Sequence, residues 1–313
     1  MKAPYGEDIM KIGVVILNYN DYKGTIKCAN RIVPYSSIDY IVIVDNGSSN
    51  EAFDEISNFA NSLESGKLKI IKSNINGGYA KGNNIGVHYL LDKTDSDIIG
   101  IVNPDISFDD YLGEQVKEQF YIHPNFAILT GLQTDKKGNI SKRAFWRQLN
   151  IPQFIIGMSP SLSKVQDLIF GNYVIKRIKE SDNKIIEVPI VEGCLFFIRA
   201  NVFREVHGFD ESTFLFMEED ILSAKIRKMG WKIGVIKDIR FIHDHSATIG
   251  KFISYFNRVK IMNRSKNYYF CEYLLEGRKG GSIFYFCLEI LSWIEQIIVM
   301  LPYLFFKGKF LNR

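Results

Sequence analysis

The sequence predicts an α/β fold in which a mostly parallel sheet is flanked by helices, and three observations carry that prediction. Short, almost wholly apolar runs recur early in the chain: "IGVVIL" (12–17), "YIVIVD" (40–45), "LKIIK" (68–72) and "DIIGIV" (97–102). Runs apolar on both faces suit central strands of a covered parallel sheet. Helical stretches lie between them, roughly 21–33, 51–64 and 79–91, so strand and helix alternate. Four polar clusters, "NYND", "DNGSSN", "SNINGG" and "NPDISFDD", each follow the end of one of these strands, where such sheets form their ligand crevice.

From about 126 the pattern loosens. "TDKKGNISKRAFWRQLNIP" is basic and turn-rich, and 160–184 reads as a helical insertion. An apolar strand returns in "EVPIVEGCLFFIRANVF". The second half of "HGFDESTFLFMEEDILSAKIRKMG" is helical, with Leu222, Ile226 and Met229 on one face and Gly230 as its cap. A last strand, "WKIGVI", leads into "RFIHDHSATIG".

The tail after about 250 differs in kind. "IFYFCLEILSWIEQIIVMLPYLFF" (283–306) is long enough for a membrane span, but Glu289, Ser292, Glu295 and Gln296 interrupt it. They fall within an arc of about 120°, a polar stripe on an apolar helix. Basic residues flank both ends (Arg278, Lys279; Lys307, Lys309, Arg313), so no charge asymmetry orients a span. The segment reads as an interfacial helix, or one packed on a partner, a homodimer being compatible.

Composition narrows the class. With 313 residues, 46% hydrophobic and 24% charged, the chain can bury a sizeable core, and its net charge of +4 excludes a dedicated nucleic-acid binder. Cys28, Cys194, Cys271 and Cys287 have no C-x-x-C spacing, so reduced thiols in the cytoplasm are expected. "MKAPYGEDIM" lacks the apolar region of a secretory signal.

Two loops invite chemistry. "NGGYAKGNNIG" (76–86) begins like a triphosphate-binding loop, but Asn83 and Asn84 stand where Lys and Ser or Thr are needed. In "IVNPDISF", Asp105 follows a buried strand and could hold a divalent ion; Asn-Pro-Asp is also ordinary turn chemistry.

Taken together, "VVILNYN", "IVIVDNGSSN", "NGGYAKGNNIG", "VNPD", "GFDESTFLFMEED" and "FIHDHSAT" resemble, in order and spacing, the family 2 glycosyltransferases with the GT-A fold, and among them bacterial rhamnosyltransferase-like enzymes of polysaccharide assembly. The resemblance covers roughly residues 11–248. It implies a Rossmann-like nucleotide-diphospho-sugar transferase domain over 1–248, with a donor half (about 11–125) and an acceptor half (about 126–248). Residues 249–313 then form a C-terminal helical segment that associates with a membrane or partner.

Carried over by position, the resemblance implies that Tyr19 stacks on the nucleotide base and Asp45 bonds its edge, with Asn18 and Asn20 shaping the same wall. Gly78 and Asn83 would border the diphosphate or ribose, and Lys81 could contact the diphosphate. Asp105 becomes the ligand of Mn2+ or Mg2+, with His243 as a second ligand and His245 in competition. Asn50 replaces the usual Asp of V-D-N-x-S-x-D; Asn103 replaces the first Asp of the D-x-D metal motif and leaves one carboxylate on the metal, so metal affinity should be weak without nucleotide. Glu219 takes the position of the base, where most relatives have Asp. Projected against Leu222, Ile226 and Met229, Glu218 and Glu219 lie about 40° and 60° away, while Asp220 points outward at about 160°. Acids at a helix N-terminus are also favoured by its dipole, so the choice among the three stays open.

The resemblance implies an inverting, metal-dependent transfer of one sugar from a nucleotide-diphosphate sugar to a glycan acceptor, lipid-linked, on the cytoplasmic side of the membrane. Residues 131–184 separate the donor half from the base, so Arg143, Trp146 and Arg147 are placed to meet a glycan or lipid diphosphate; a merely solvated basic loop is the other reading. A non-catalytic sugar-nucleotide-binding subunit is the alternative. A sugar-1-phosphate nucleotidyltransferase fits less well, because "LNYNDY" lacks its basic glycine-rich loop.

Overall fold

The structure is a computed structural model that describes residues 10–63, 65–159, 161–162, 173–244 and 254–310. Its centre is β1 (Ile12–Asn18), buried along nearly its whole length and paired in parallel with β2 (Tyr40–Asn46) on one side and β4 (Ile98–Val102) on the other. Helices α1 (Tyr22–Ile32), α2 (Ala52–Ser62) and α3 (Gly78–Lys93) make the crossovers, close to the predicted bounds. Asp21 caps α1 by accepting the Gly24 N–H.

One of the four runs is not central. Leu68–Ser73 (β3) pairs with β2 at the edge of the sheet and leaves Lys69 and Lys72 exposed. Lysines on an outer strand discourage pairing with another chain, which explains why this run was less apolar than its neighbours.

After β4 come β5 (Ile106–Ser107) and α4 (Asp110–Ile122), and then the largest departure from expectation. Phe126–Thr134 (β6) is a nine-residue strand buried throughout, where the sequence had suggested a loosening chain. Thr130, Gln133 and Thr134 made it look loop-like. Thr130 Oγ1 donates to Leu195 O and Thr134 Oγ1 to Phe241 O, so both hydroxyls are satisfied inside the sheet.

The connection to the second half contains β7 (Phe145–Trp146), α5 (Ile151–Met158), α6 (Tyr173–Glu180), β8 (Ile185–Glu187) and β9 (Ile190–Val191). Next come β10 (Leu195–Arg199), α7 (Ala200–Glu205), α8 (Glu218–Lys228) and β11 (Lys232–His243). The last strand outruns the predicted "WKIGVI". The main sheet runs β3-β2-β1-β4-β10-β6-β11-β5, with β8 on β11; β10 lies antiparallel between β4 and β6. The sheet is therefore continuous across residue 125.

Beyond the sheet, α9 (Tyr255–Tyr269), a π-turn (Phe270–Leu274) and α10 (Gly281–Phe310) pack on the body. Phe154, Ile221, Phe270 and Tyr285 share one core cluster, and Tyr268 and Tyr273 both donate to Asp210 Oδ2. Among the described residues no helix is long and apolar enough to cross a membrane. All four cysteines are free.

Two glycines of "NGGYAKGNNIG" serve the sheet. A Cβ at Gly82 would lie 2.6 Å from Leu17 and one at Gly86 2.6 Å from Val15, so both let α3 settle close onto β1. Gly78 is different. It has φ +84°, and a Cβ there would fall 2.1 Å from Phe214 O, the acceptor of the Tyr79 N–H. Gly78→Ala is expected to cost about 1–3 kcal/mol, read from urea unfolding, and to push away the 214–217 loop.

Candidate active site

The carboxyl ends of β1, β2 and β4 open onto a hollow of about 800 Å³. Tyr19 and Asp21 reach it from the loop after β1, Asn46 from β2, Asn76 and Gly78 from the start of α3, and Asn103 and Asp105 from the turn after β4. Several residues predicted for the donor wall do not line it. Asn18 and Asp45 are buried behind it: Asn18 Nδ2 donates to Asp45 Oδ1 at 2.7 Å, and Ser48 Oγ donates to the same oxygen. Asn20, at φ 55°, donates its backbone N–H to Ser48 Oγ. These three fix the turns rather than face the hollow. Lys81 is exposed outside it, and Asn83 is buried in α3, donating to Tyr79 O. Asn83 lies about 140° round α3 from Gly78, so the two do not share a face of the helix.

Asp105 and His243, 138 positions apart, are joined by backbone pairing. Ile106 sits opposite His243 in the β5–β11 ladder, and the Asp244 N–H donates to Asp105 O. Their side chains meet with Nε2 to Oδ2 at 3.3 Å, and both are largely buried. Burial opposes charge on the imidazole, but the hydrogen bond and charge of Asp105 outweigh it and hold the His243 pKa above its usual value. His245 lies outside the described residues.

Sequence reasoning missed Glu192 and Cys194, which offer ligand atoms within 4.8 Å of each other and of His243. Glu192 Oε2 is buried without a partner, as is Gln133 Oε1, while Gln133 Nε2 lies 2.8 Å from His243 Nδ1. Nε2 faces Asp105, so the imidazole and the carboxylate present their ligand atoms side by side. A carboxylate, an imidazole and a second carboxylate with one unpartnered oxygen suit Mn2+ or Mg2+ in a site completed by phosphate oxygens. The residues present thus fit a divalent ion.

The opposite wall begins with a strained turn. Phe216 and Met217 have φ of 75° and 70°, rare for non-glycine residues, just before α8. The turn is held from both sides: Tyr79 N–H donates to Phe214 O and Ser265 Oγ to Leu215 O. It delivers Glu218, Glu219 and Asp220 together to the hollow. Glu219 Oε1 accepts the Gly193 N–H at 3.1 Å. Asp220 does not point to solvent, as predicted; its Oδ1 accepts from Trp146 Nε1 at 3.4 Å, and Lys266 of α9 stands nearby. The projection assumed that the face of α8 opposite the core meets water, but β7 and α9 cover it. Met229, placed in the core face, is instead exposed, and Ile221 is buried in its stead.

Burial raises the pKa of all three acids; for Asp220, burial and then the Glu219 charge lift it to about 7. The folded chain therefore keeps protons that the unfolded chain has released between about pH 4 and pH 7, and stability falls as pH rises through that window. Asp220→Asn is expected to flatten this fall and raise Tm at neutral pH, by about 2–4 °C per kcal/mol recovered, in calorimetry across pH. Arg143 and Trp146 line the hollow as anticipated; Arg147 does not, lying over the Tyr173 ring.

A family model described as glycosyl transferase family 2 matches residues 13–206, more than half of the chain. The chain belongs to glycosyl transferase family 2. Among relatives, the low-salt glycan biosynthesis hexosyltransferase Agl10 of Haloferax volcanii is 24% identical over 245 residues, covering 78% of this chain and 70% of that protein. Among solved structures, GalNAc-T7 with UDP, GalNAc and Mn2+ superposes with a TM-score of 0.57 at 16% identity; the match spans 77% of this chain but 45% of GalNAc-T7. The mannosyltransferase PcManGT from Pyrobaculum calidifontis, in complex with GDP-Man and Mn2+, gives 0.56 at 15% identity, over 93% and 73% of the two chains. The family's GT-A arrangement is the fold seen here.

Proposed function

We propose that this family 2 member transfers a sugar, with inversion, from a nucleotide-diphosphate sugar to a lipid-linked glycan in surface polysaccharide synthesis, at the cytoplasmic face of the membrane. The observation that carries the reading is one hollow between the Asn103–Asp105 turn with His243 and the acids heading α8. Residues 1–248 would supply this machinery and 249–313 the attachment. Tyr19 would stack on the base, and Asn76 and Asn103 would face the ribose and diphosphate.

Asp105 and His243, with Glu192 beside them, would hold Mn2+ or Mg2+. When bound, the ion supplies positive charge that offsets charge developing on the departing nucleoside diphosphate. Glu219, steadied by the Gly193 N–H, would take the proton of the acceptor hydroxyl as its oxygen attacks the anomeric carbon from the face opposite the leaving group. One base and one displacement give inversion. Lys142, Arg143, Trp146 and Lys266 line the side left for the acceptor.

A panel of nucleotide sugars with Mn2+ or Mg2+, scored by thermal shift and donor hydrolysis, tests the reading. One donor should stabilise the protein in the presence of the ion and be consumed. Stabilisation without consumption, even with acceptor extracts, would favour a non-catalytic binding subunit; no stabilisation by any donor would refute both.

A further inference from the structure

Helix α10 is inside out. At 100° per residue Ile283, Phe286, Ile290, Leu291, Ile294 and Ile298 share an arc of about 140°, and all six are exposed, Ile283 at 73% and Leu291 at 61%. Glu289 and Ser292 face the protein: Glu289 Oε1 accepts from Asn263 Nδ2 at 2.9 Å, and Ser292 Oγ donates to Met158 O at 2.7 Å. Tyr285, on the same side, is fully buried. A helix that only covered the body would turn these faces the other way. The contacts of Glu289 and Ser292 instead lock the apolar stripe outward. Phe256 of α9 is also exposed, at 75%.

Charge identifies what covers the stripe. Residues 251–313 contain ten Lys and Arg but four Asp and Glu, a net +6, so the rest of the chain carries −2 against the whole-chain +4. Arg278 and Lys279 precede α10, and Lys260 and Arg264 are exposed on α9. Two such segments would repel each other, whereas an anionic surface would attract either one.

We infer that the outward stripe of α10 lies in the headgroup and acyl boundary of an anionic bilayer, parallel to its plane, with Lys260, Arg264, Arg278 and Lys279 against lipid phosphates. Its consequence for the acceptor rests on the function proposed above. Helix α9, on which α10 rests, also sends Met262 and Lys266 into the hollow, so a single helix separates the bilayer from the acceptor side of the site. A lipid-borne acceptor would enter beside Lys266 while the donor arrives from the aqueous side.

The test is sedimentation of the full chain with vesicles of phosphatidylcholine alone or mixed with phosphatidylglycerol. The protein should partition onto the mixed vesicles, more weakly as salt rises, and Leu291→Glu/Ile294→Glu should lower partitioning by about tenfold or more. Thermal shift with the donor, unchanged in that variant, keeps the surface separate from the catalytic reading; loss of the shift with vesicle binding intact would strike only the latter. Equal sedimentation of native protein and variant, or none with either vesicle, would overturn the inference. So would a vesicle-free dimer that the double substitution dissociates, which would make the stripe a contact between copies.

Discussion

Glu219→Gln is expected to lower kcat by about 10²–10⁴-fold, the usual worth of a positioned general base, while leaving donor affinity nearly unchanged. The substitution keeps the size of the side chain and an oxygen for the Gly193 N–H, so the loss would report on proton transfer rather than on the fold. Glu218→Gln and Asp220→Asn should cost much less: Glu218 has an oxygen buried without a partner, and Asp220 is engaged by Trp146. The pH profile supplies a second readout. A base works ionised, and burial raises the pKa of Glu219, so kcat should climb with pH above the ordinary carboxylate range and flatten in the variant. A larger loss in Asp220→Asn, with the profile displaced, would move the role to Asp220.

Asp105→Ala should remove metal-dependent turnover, a loss of about 10³-fold if the ion contributes about 4 kcal/mol of charge stabilisation. Its partner His243 would lose its hydrogen bond to Asp105, but the β5–β11 ladder that joins the two loops is backbone and would persist. The fold should therefore survive, which calorimetry can verify. Titration of Mn2+ should show weak binding to native protein, tightening with nucleoside diphosphate, and no such tightening in the variant. His243→Ala should be milder, because Glu192 remains beside the site. Tight Mn2+ binding without nucleotide would contradict a site that depends on substrate oxygens.

Strands β1, β2 and β4 were legible because burial on both faces leaves little but Val, Ile and Leu, and their loops were legible because polar clusters stop those runs abruptly. The failures share one physical cause. In β6 the polar residues are buried and bonded within the sheet, so composition imitated a loop. Around α8 the assumption that polar means solvent hid Asp220, whose outer face is closed by Trp146 and Lys266 from distant segments. Glu192 stayed hidden in "PIVEGCLFF", where one acid among apolar residues gives no periodic signal, and its meaning depends on His243 arriving from another strand. The glycine-rich segment announced a special turn at Gly78, but nothing local distinguished it from Gly82 and Gly86, which serve helix packing.

The antiparallel wedge of β10 between β4 and β6 has a consequence for biosynthesis. Until residue 199 has left the ribosome, the edge of β4 that β10 will cover has no strand to pair with. The nascent chain must carry that adhesive border through the synthesis of nearly a hundred further residues, the interval in which a chaperone would have most to shield. A fragment ending near residue 125 would keep the border permanently and should precipitate on expression.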